Sequence, residues 1–238
     1  MKKIICLLII LFFCFNNAYS QTKKDTLNTR IFGFSPSNSN IDKVNGLVIG
    51  LGMAFGNGVD YRIVNGLNIE VNPLSIVFIL YSRQRSVIGF DSTSGTVLNG
   101  INISTGSVPK KNDGLAINGI SITLFNDSFS ANGISVNGFF NYATNLNGVH
   151  LTLFSNYSKN ANGIFVSCSN YSEKMNGIQF GMFNQALNSR GIQIGLFNKS
   201  KDFTGIQIGL FNKTSSLKGL QIGFWNSNKK RSLPFINF

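Results

Sequence analysis

From Met175 to Asn226 the chain repeats one alternation of apolar and polar residues four times, as GIQFGMFN, GIQIGLFN, GIQIGLFN and GLQIGFWN. The opening glycines are Gly177, Gly191, Gly205 and Gly219, each fourteen residues after the last. Gly163 lies fourteen residues before Gly177, Gly148 and Gly133 precede it at intervals of fifteen, and Gly119 comes fourteen before that. Looser copies open at Gly100, Gly66 and Gly46. A fixed period of this kind means one small unit stacked on copies of itself.

Within a copy the side chains alternate with the period expected of a strand. In the third copy Ile206, Ile208 and Leu210 fall on one face, and Gln207, Gly209 and Phe211 on the other. The aliphatic face is read as the core, which puts Gln179, Gln193, Gln207 and Gln221 on the outer face. Another apolar residue recurs two places before the glycine, at Val44, Val64, Leu98, Ile117, Met175, Phe203 and Leu217. From there to the next apolar position the step is three residues rather than two. The chain must turn at that point, and Asn-Gly, tolerant of positive φ, supplies the corner. The far end of the strand is marked by Asn184, Asn198, Asn212 or Asn226 and a polar turn.

So small a unit orders more backbone than its few apolar contacts can offset, and it folds only by stacking. The expected class is all-β: a parallel β-solenoid, or β-roll, with coils of about fourteen residues. Such a stack would align Phe183, Phe197, Phe211 and Trp225 in an aromatic ladder and the terminal asparagines in an amide ladder. The alternative is an antiparallel outer-membrane β-barrel, in which the aromatics would divide between two rims. The terminal Phe238 speaks for the barrel. Strands of about eight residues, roughly 26 Å before tilt, and uniformly short connections speak for the solenoid.

Residues 1–20 carry Lys2 and Lys3, the apolar run IICLLIILFFCF and Ala18-Tyr19-Ser20. Together these read as a signal peptide. Residues 21–45 form a polar leader, 46–118 irregular repeats or an N-terminal cap, 119–226 the regular repeats, and 227–238 a C-terminal cap strand. In the cap region 75–81 (SIVFILY) suits a buried strand, and 105–114 a basic turn. Lys229, Lys230, Arg231 and Pro234 would stop another strand from adding to the last coil. Cys6 and Cys14 leave with the signal, so the remaining Cys168 has no internal disulfide partner.

The chain has a formal net charge of +12, which suits an anionic partner. Export argues against nucleic acid. Lys199, Lys201, Lys213 and Lys218 fall in predicted turns, with Lys159, Lys174 and Arg190, and form a candidate anionic-ligand edge. His150, the lone histidine, takes the place of a repeat glutamine and is read as a polar residue on the outer face. Cys168 is read as a structural thiol. From Gly119 to Asn226 the only acids are Asp127, Glu173 and Asp202, all in predicted turns, so no carboxylate pair of the glycosidase kind is expected. No Cys, His or Asp spacing suggests a metal, and GIQIG lacks the further glycines of a dinucleotide fingerprint. Catalysis, cofactor and metal are therefore not expected.

The repeat signature Gly163, Gly177, Gly191, Gly205 and Gly219 with Asn184, Asn198, Asn212 and Asn226, the signal peptide and the tail KKRSLPFINF resemble a family of bacterial surface-repeat proteins of uncharacterised function. The likeness covers about 46–238 and is specific in 177–238. The fourteen-residue period is also similar to the head repeats of trimeric autotransporter adhesins, which form a parallel β-roll. The first resemblance supplies no activity and the second concerns the coil geometry only; the expected reading is a secreted or envelope-associated protein of the cell surface or outer membrane, with a structural or adhesive role. Its expected partner is an anionic glycan or envelope component, with membrane association and oligomeric state left open. The barrel alternative would serve anchorage or passage.

Overall fold

A computed structural model describes residues 28–35, 41–51, 61–73, 95–106 and 114–238. The segment expected to be a signal peptide, the run at 75–81 and parts of the expected leader and basic turn lie outside the described residues. The strands are β1 (Asn28–Ser35), β2 (Ile41–Gly50), β3 (Tyr61–Glu70), β4 (Gly95–Ser104), β5 (Gly114–Thr152), β6 (Ser155–Val166), β7 (Ser169–Phe180), β8 (Phe183–Ser227) and β9 (Ser232–Asn237). They form one sheet in sequence order, and β5 and β8 each run through several coils without a break.

Equivalent residues of successive repeats lie side by side. Gly46 pairs with Gly66, Gly66 with Gly100, Gly100 with Gly119, and Gly148, Gly163, Gly177 and Gly191 continue the row, all in parallel register. The corner glycines from Gly46 to Gly219 have φ between 116° and 156°. The chain is a parallel β-solenoid. The barrel alternative fails because its neighbouring strands would have to be antiparallel, whereas the pairs from β1 to β8 are parallel.

For the glutamines and the aliphatic residues of the strand the inward and outward assignment is the reverse of the expectation, while Phe211 lies outside as expected. Gln179, Gln193, Gln207 and Gln221 are buried, whereas Ile206, Ile208 and Leu210 are 38–50% exposed. His150 likewise lies inside, not on the outer face. The physical reason is that stacking satisfies amides. The Nε2 groups of Gln193, Gln207 and Gln221 each donate to Oε1 of the preceding coil's glutamine at 2.7 Å. Buried amides with partners above and below carry no desolvation penalty of the unpaired kind.

A second internal ladder joins Asn156, Asn170, Asn184, Asn198, Asn212 and Asn226, with Nδ2 to Oδ1 distances of 2.7–3.0 Å. Here the donation runs toward the C-terminus, opposite to the glutamines. The same Nδ2 groups of Asn184, Asn198 and Asn212 reach the carbonyls of Ile194, Ile208 and Ile222 at 2.8–2.9 Å, which fixes the orientation of the amides. The apolar core follows the column before the glycine, joined by Val48 and Phe165 in the glutamine column and by Leu115, Phe125, Ala143 and Ala186 elsewhere in the coils. Val44, Val64, Leu98, Ile117, Leu146, Ala161, Met175 and Phe203 are each at most 4% exposed, as expected for the members read from the sequence except Leu217, which is only half-buried in the last coil.

The C-terminal segment forms the last strand of the sheet. After Asn228–Arg231 the chain reverses, and β9 pairs antiparallel with the end of β8. Asn237 Nδ2 donates to Gln221 Oε1 at 2.9 Å and so occupies the acceptor that another coil would have used.

Candidate interaction surface

The three residues that leave each corner glycine pointing outward are the first, third and fifth after it. In the later coils these are Ile192, Ile194 and Leu196, then Ile206, Ile208 and Leu210, then Leu220, Ile222 and Phe224. Because equivalent residues stack one coil apart, they make apolar columns about 4.8 Å per step along the solenoid. Ile120, Ile122 and Leu124 begin the same columns in β5, at 39–47% exposure. A contiguous apolar face of this extent is the candidate interaction surface. It carries an open groove of about 800 Å³ that crosses successive coils between the third and fifth columns, past Phe180, Met182, Ile194, Leu196, Ile208 and Leu210.

The groove has a floor of glycine. A Cβ added at Gly195 would lie 2.0 Å from the Gly181 carbonyl oxygen and 2.6 Å from Asn184 Nδ2. The internal asparagine of one coil therefore requires the second glycine of the next GIQIG. In the two coils before Gly177 that glycine is replaced by Thr152 and Ser167, whose hydroxyls bond Asn156 and Asn170 at 2.7 and 2.9 Å.

The next outward column is aromatic. The rings of Phe183, Phe197 and Phe211 stack at 5.2 and 5.3 Å with planes within 8°. Trp225 follows in the column, while Phe211 also meets Phe224 edge-on at 6.2 Å. The aromatic ladder read from the sequence is thus present for Phe183, Phe197 and Phe211, on the rim of the apolar face.

The sequence-predicted lysine edge divides. Lys199 and Lys213 occupy equivalent places in adjacent coils, two residues beyond Phe197 and Phe211, and Lys201 is the next outward residue after Lys199. Lys218 does not join them. It stands immediately before Gly219, in the column that holds Arg190 before Gly191, on the opposite border of the apolar face. All of these cations are exposed. In earlier coils that second column is an outer amide ladder, in which Asn65, Asn99, Asn118, Asn132, Asn147 and Asn162 each donate to the preceding asparagine at 2.7–2.9 Å.

The remaining chemical candidates stand apart. Cys168 is exposed in the fifth column, where Leu153 precedes it and Met182 follows. Glu70 is buried near Arg62, and burial raises its pKa. Among the described residues no group of three or more His, Cys, Asp or Glu is placed to hold a metal ion, and no helix is long and apolar enough to cross a membrane.

His150 Nδ1 lies 2.6 Å from Ser135 Oγ, and the ring stacks on Phe165 at 5.4 Å. Burial lowers its pKa to about 4, with a smaller opposing effect from the Asn147 backbone. A histidine whose folded pKa is depressed leaves stability unaffected above its unfolded value and removes stability as pH falls below it. Between pH 7 and pH 4 the His150 ring is therefore expected to cost about 3 kcal/mol. Comparison with His150→Gln isolates the effect, because Glu70 acts with the opposite sign. Urea unfolding of both proteins at the two pH values should show the larger acid loss in the wild type; equal losses would mean that the ring is not buried neutral.

What the sequence pattern hid was the side of the sheet, not the columns themselves. The signal that could have revealed it is the invariant glutamine in the repeats: a solvent-facing position needs no such constancy among four copies, whereas a ladder does. Comparison with protein-family models, with curated proteins and with solved structures finds no match.

Proposed function

We propose that this chain is a non-catalytic protein of the cell envelope or cell surface, with a structural or adhesive role, and that its working surface is the outward apolar face with its basic borders. One observation carries the reading: the repeats put amides inside and isoleucine, leucine and phenylalanine outside. A stack that served only as a spacer would gain nothing from an apolar exterior. The bordering lysines support an anionic envelope component or glycan as the partner, bound weakly per coil and usefully in sum. The resemblance to bacterial surface-repeat proteins and the signal-peptide pattern of residues 1–20 support export.

The face can be tested apart from any particular partner. The double variant Ile194→Thr, Ile208→Thr should adsorb more weakly than the wild type to an octyl-agarose matrix. Ile208 is exposed and Ile194 half-buried, so the variant's unfolding free energy should change by less than about 2 kcal/mol, short of the several kcal/mol expected at a core. Unchanged adsorption would remove the face as the working surface.

A further inference from the structure

We infer that the apolar face lies on a lipid surface bearing anionic headgroups, with the aromatic column at headgroup depth and the bordering cations on lipid phosphates. The inference rests on the proposed use of that face and names its occupant. Crossing the surface of the last coils from the middle outward, one meets aliphatic Ile208 and Leu210, then Phe211, then Lys213. That order, hydrocarbon then aromatic then cation, is the order of environments from acyl chains through the interface to the headgroups. On the other border Ile192 and Leu220 give way at once to Gly191 and Gly219 and then to Arg190 and Lys218, with Thr204 in the coil between them. Cations therefore border both long sides of the same apolar strip.

The competing occupants fit less well. A second copy laid face to face would bring its own Lys199, Lys213, Arg190 and Lys218 borders against these, and like charges in contact oppose pairing. A glycan needs hydrogen-bonding groups under its hydroxyls, and the strip offers little beyond the thiol of Cys168. Its other outward side chains are aliphatic, aromatic or thioether, and the backbone amides of the coils are engaged in the parallel ladder. The groove, apolar along its length, can instead take methylene groups from a loosened bilayer surface. No part of this requires a spanning segment; the sheet lies in the interface plane.

Trp225 is the chain's single tryptophan and belongs to the aromatic column, so its fluorescence reports on this face alone, whatever other parts of the chain do. The full chain would be titrated with vesicles of phosphatidylcholine containing phosphatidylglycerol, with vesicles of phosphatidylcholine only, and with a soluble polyanionic polysaccharide. With the anionic vesicles Trp225 emission should shift to the blue and be quenched by lipids brominated on their acyl chains. Lys199→Ser with Lys213→Ser should weaken that binding roughly 30-fold, as loss of two juxtamembrane cations does, and neutral vesicles should bind far more weakly.

Equal response to neutral and anionic vesicles, or no loss in the lysine variant, would overturn the assignment of headgroup charge. A Trp225 response to the polysaccharide and not to vesicles would replace the lipid by a glycan and leave the face as the working surface. A response that depends on protein concentration without any added partner would replace it by a second copy. If Trp225 responds to none of these and octyl-agarose adsorption is also insensitive to Ile194→Thr, Ile208→Thr, both the occupant and the face are wrong.

Discussion

Gly205→Ala is expected to destabilise the solenoid by at least ~4 kcal/mol, more than a strained φ by itself. Gly205 has φ +134°, a value L-residues rarely adopt, and its added Cβ would lie 1.9 Å from the Gly191 carbonyl oxygen. Backbone, not a flexible side chain, occupies the space, so the coils would have to move apart. Separation at this corner also pulls on the Gln207 to Gln193 bond of 2.7 Å only two residues away. Because each coil is held by its neighbours, one opened interface weakens the units on both sides. Urea unfolding followed by circular dichroism measures the loss, with the exposed Lys201→Ala as a control that should change by no more than about 0.5 kcal/mol. A loss below about 1 kcal/mol for Gly205→Ala would mean that the coils do not approach this closely.

The same geometry explains which parts of the molecule could be read from the chain. Spacing carries the architecture, because a coil must return to its own register; the glycines from Gly163 to Gly219 and the terminal asparagines therefore located the corners and the ladder correctly. Phe203 and Met175 were recognisable as core for the same reason, since they stand out of phase with the strand. The orientation of Ile206 and Gln207 was not recoverable by the usual rule that apolar residues face inward. That rule assumes an interior wide enough to hold aliphatic side chains from both walls and no internal partner for amides. In this narrow coil each glutamine finds an identical neighbour one step away, and the isoleucines are left to the exterior.

The candidate surface was legible only in fragments. Phe183, Phe197 and Phe211 were expected to stack, and they do, but their meaning as a rim depends on the aliphatic columns being outside. Lys199 and Lys213 were expected on one edge with Lys218. Distance along the sequence gave no sign that the corner at Gly219 carries Lys218 to the other border. A coil with two polar stretches has two borders, and a fourteen-residue repeat does not by itself say which lysine belongs to which.

Asn212→Asp tests the polar interior directly, and the expected result is a loss of about 3–5 kcal/mol at pH 7, the range for an uncompensated buried charge. Asn212 Nδ2 donates to Asn226 Oδ1 at 2.7 Å and to the Ile222 carbonyl at 2.9 Å, while its Oδ1 accepts from Asn198 Nδ2 at 2.8 Å. In aspartate the atom that replaces Nδ2 would face two acceptors with nothing to donate. Protonation restores one donor, so the neutral acid is favoured in the folded state and its pKa there rises above the unfolded value of about 3.9. The sign follows: relative to wild type, the variant should be least destabilised near pH 4 and lose stability as pH rises through the raised pKa. That slope is opposite to the one His150 gives the wild type, which loses stability as pH falls. Thermal unfolding of the two proteins across pH 4 to 8 separates the contributions, since only the difference between them reports on Asn212. A difference that is flat with pH would place this side chain in water, and with it the whole amide ladder on the outside of the coil.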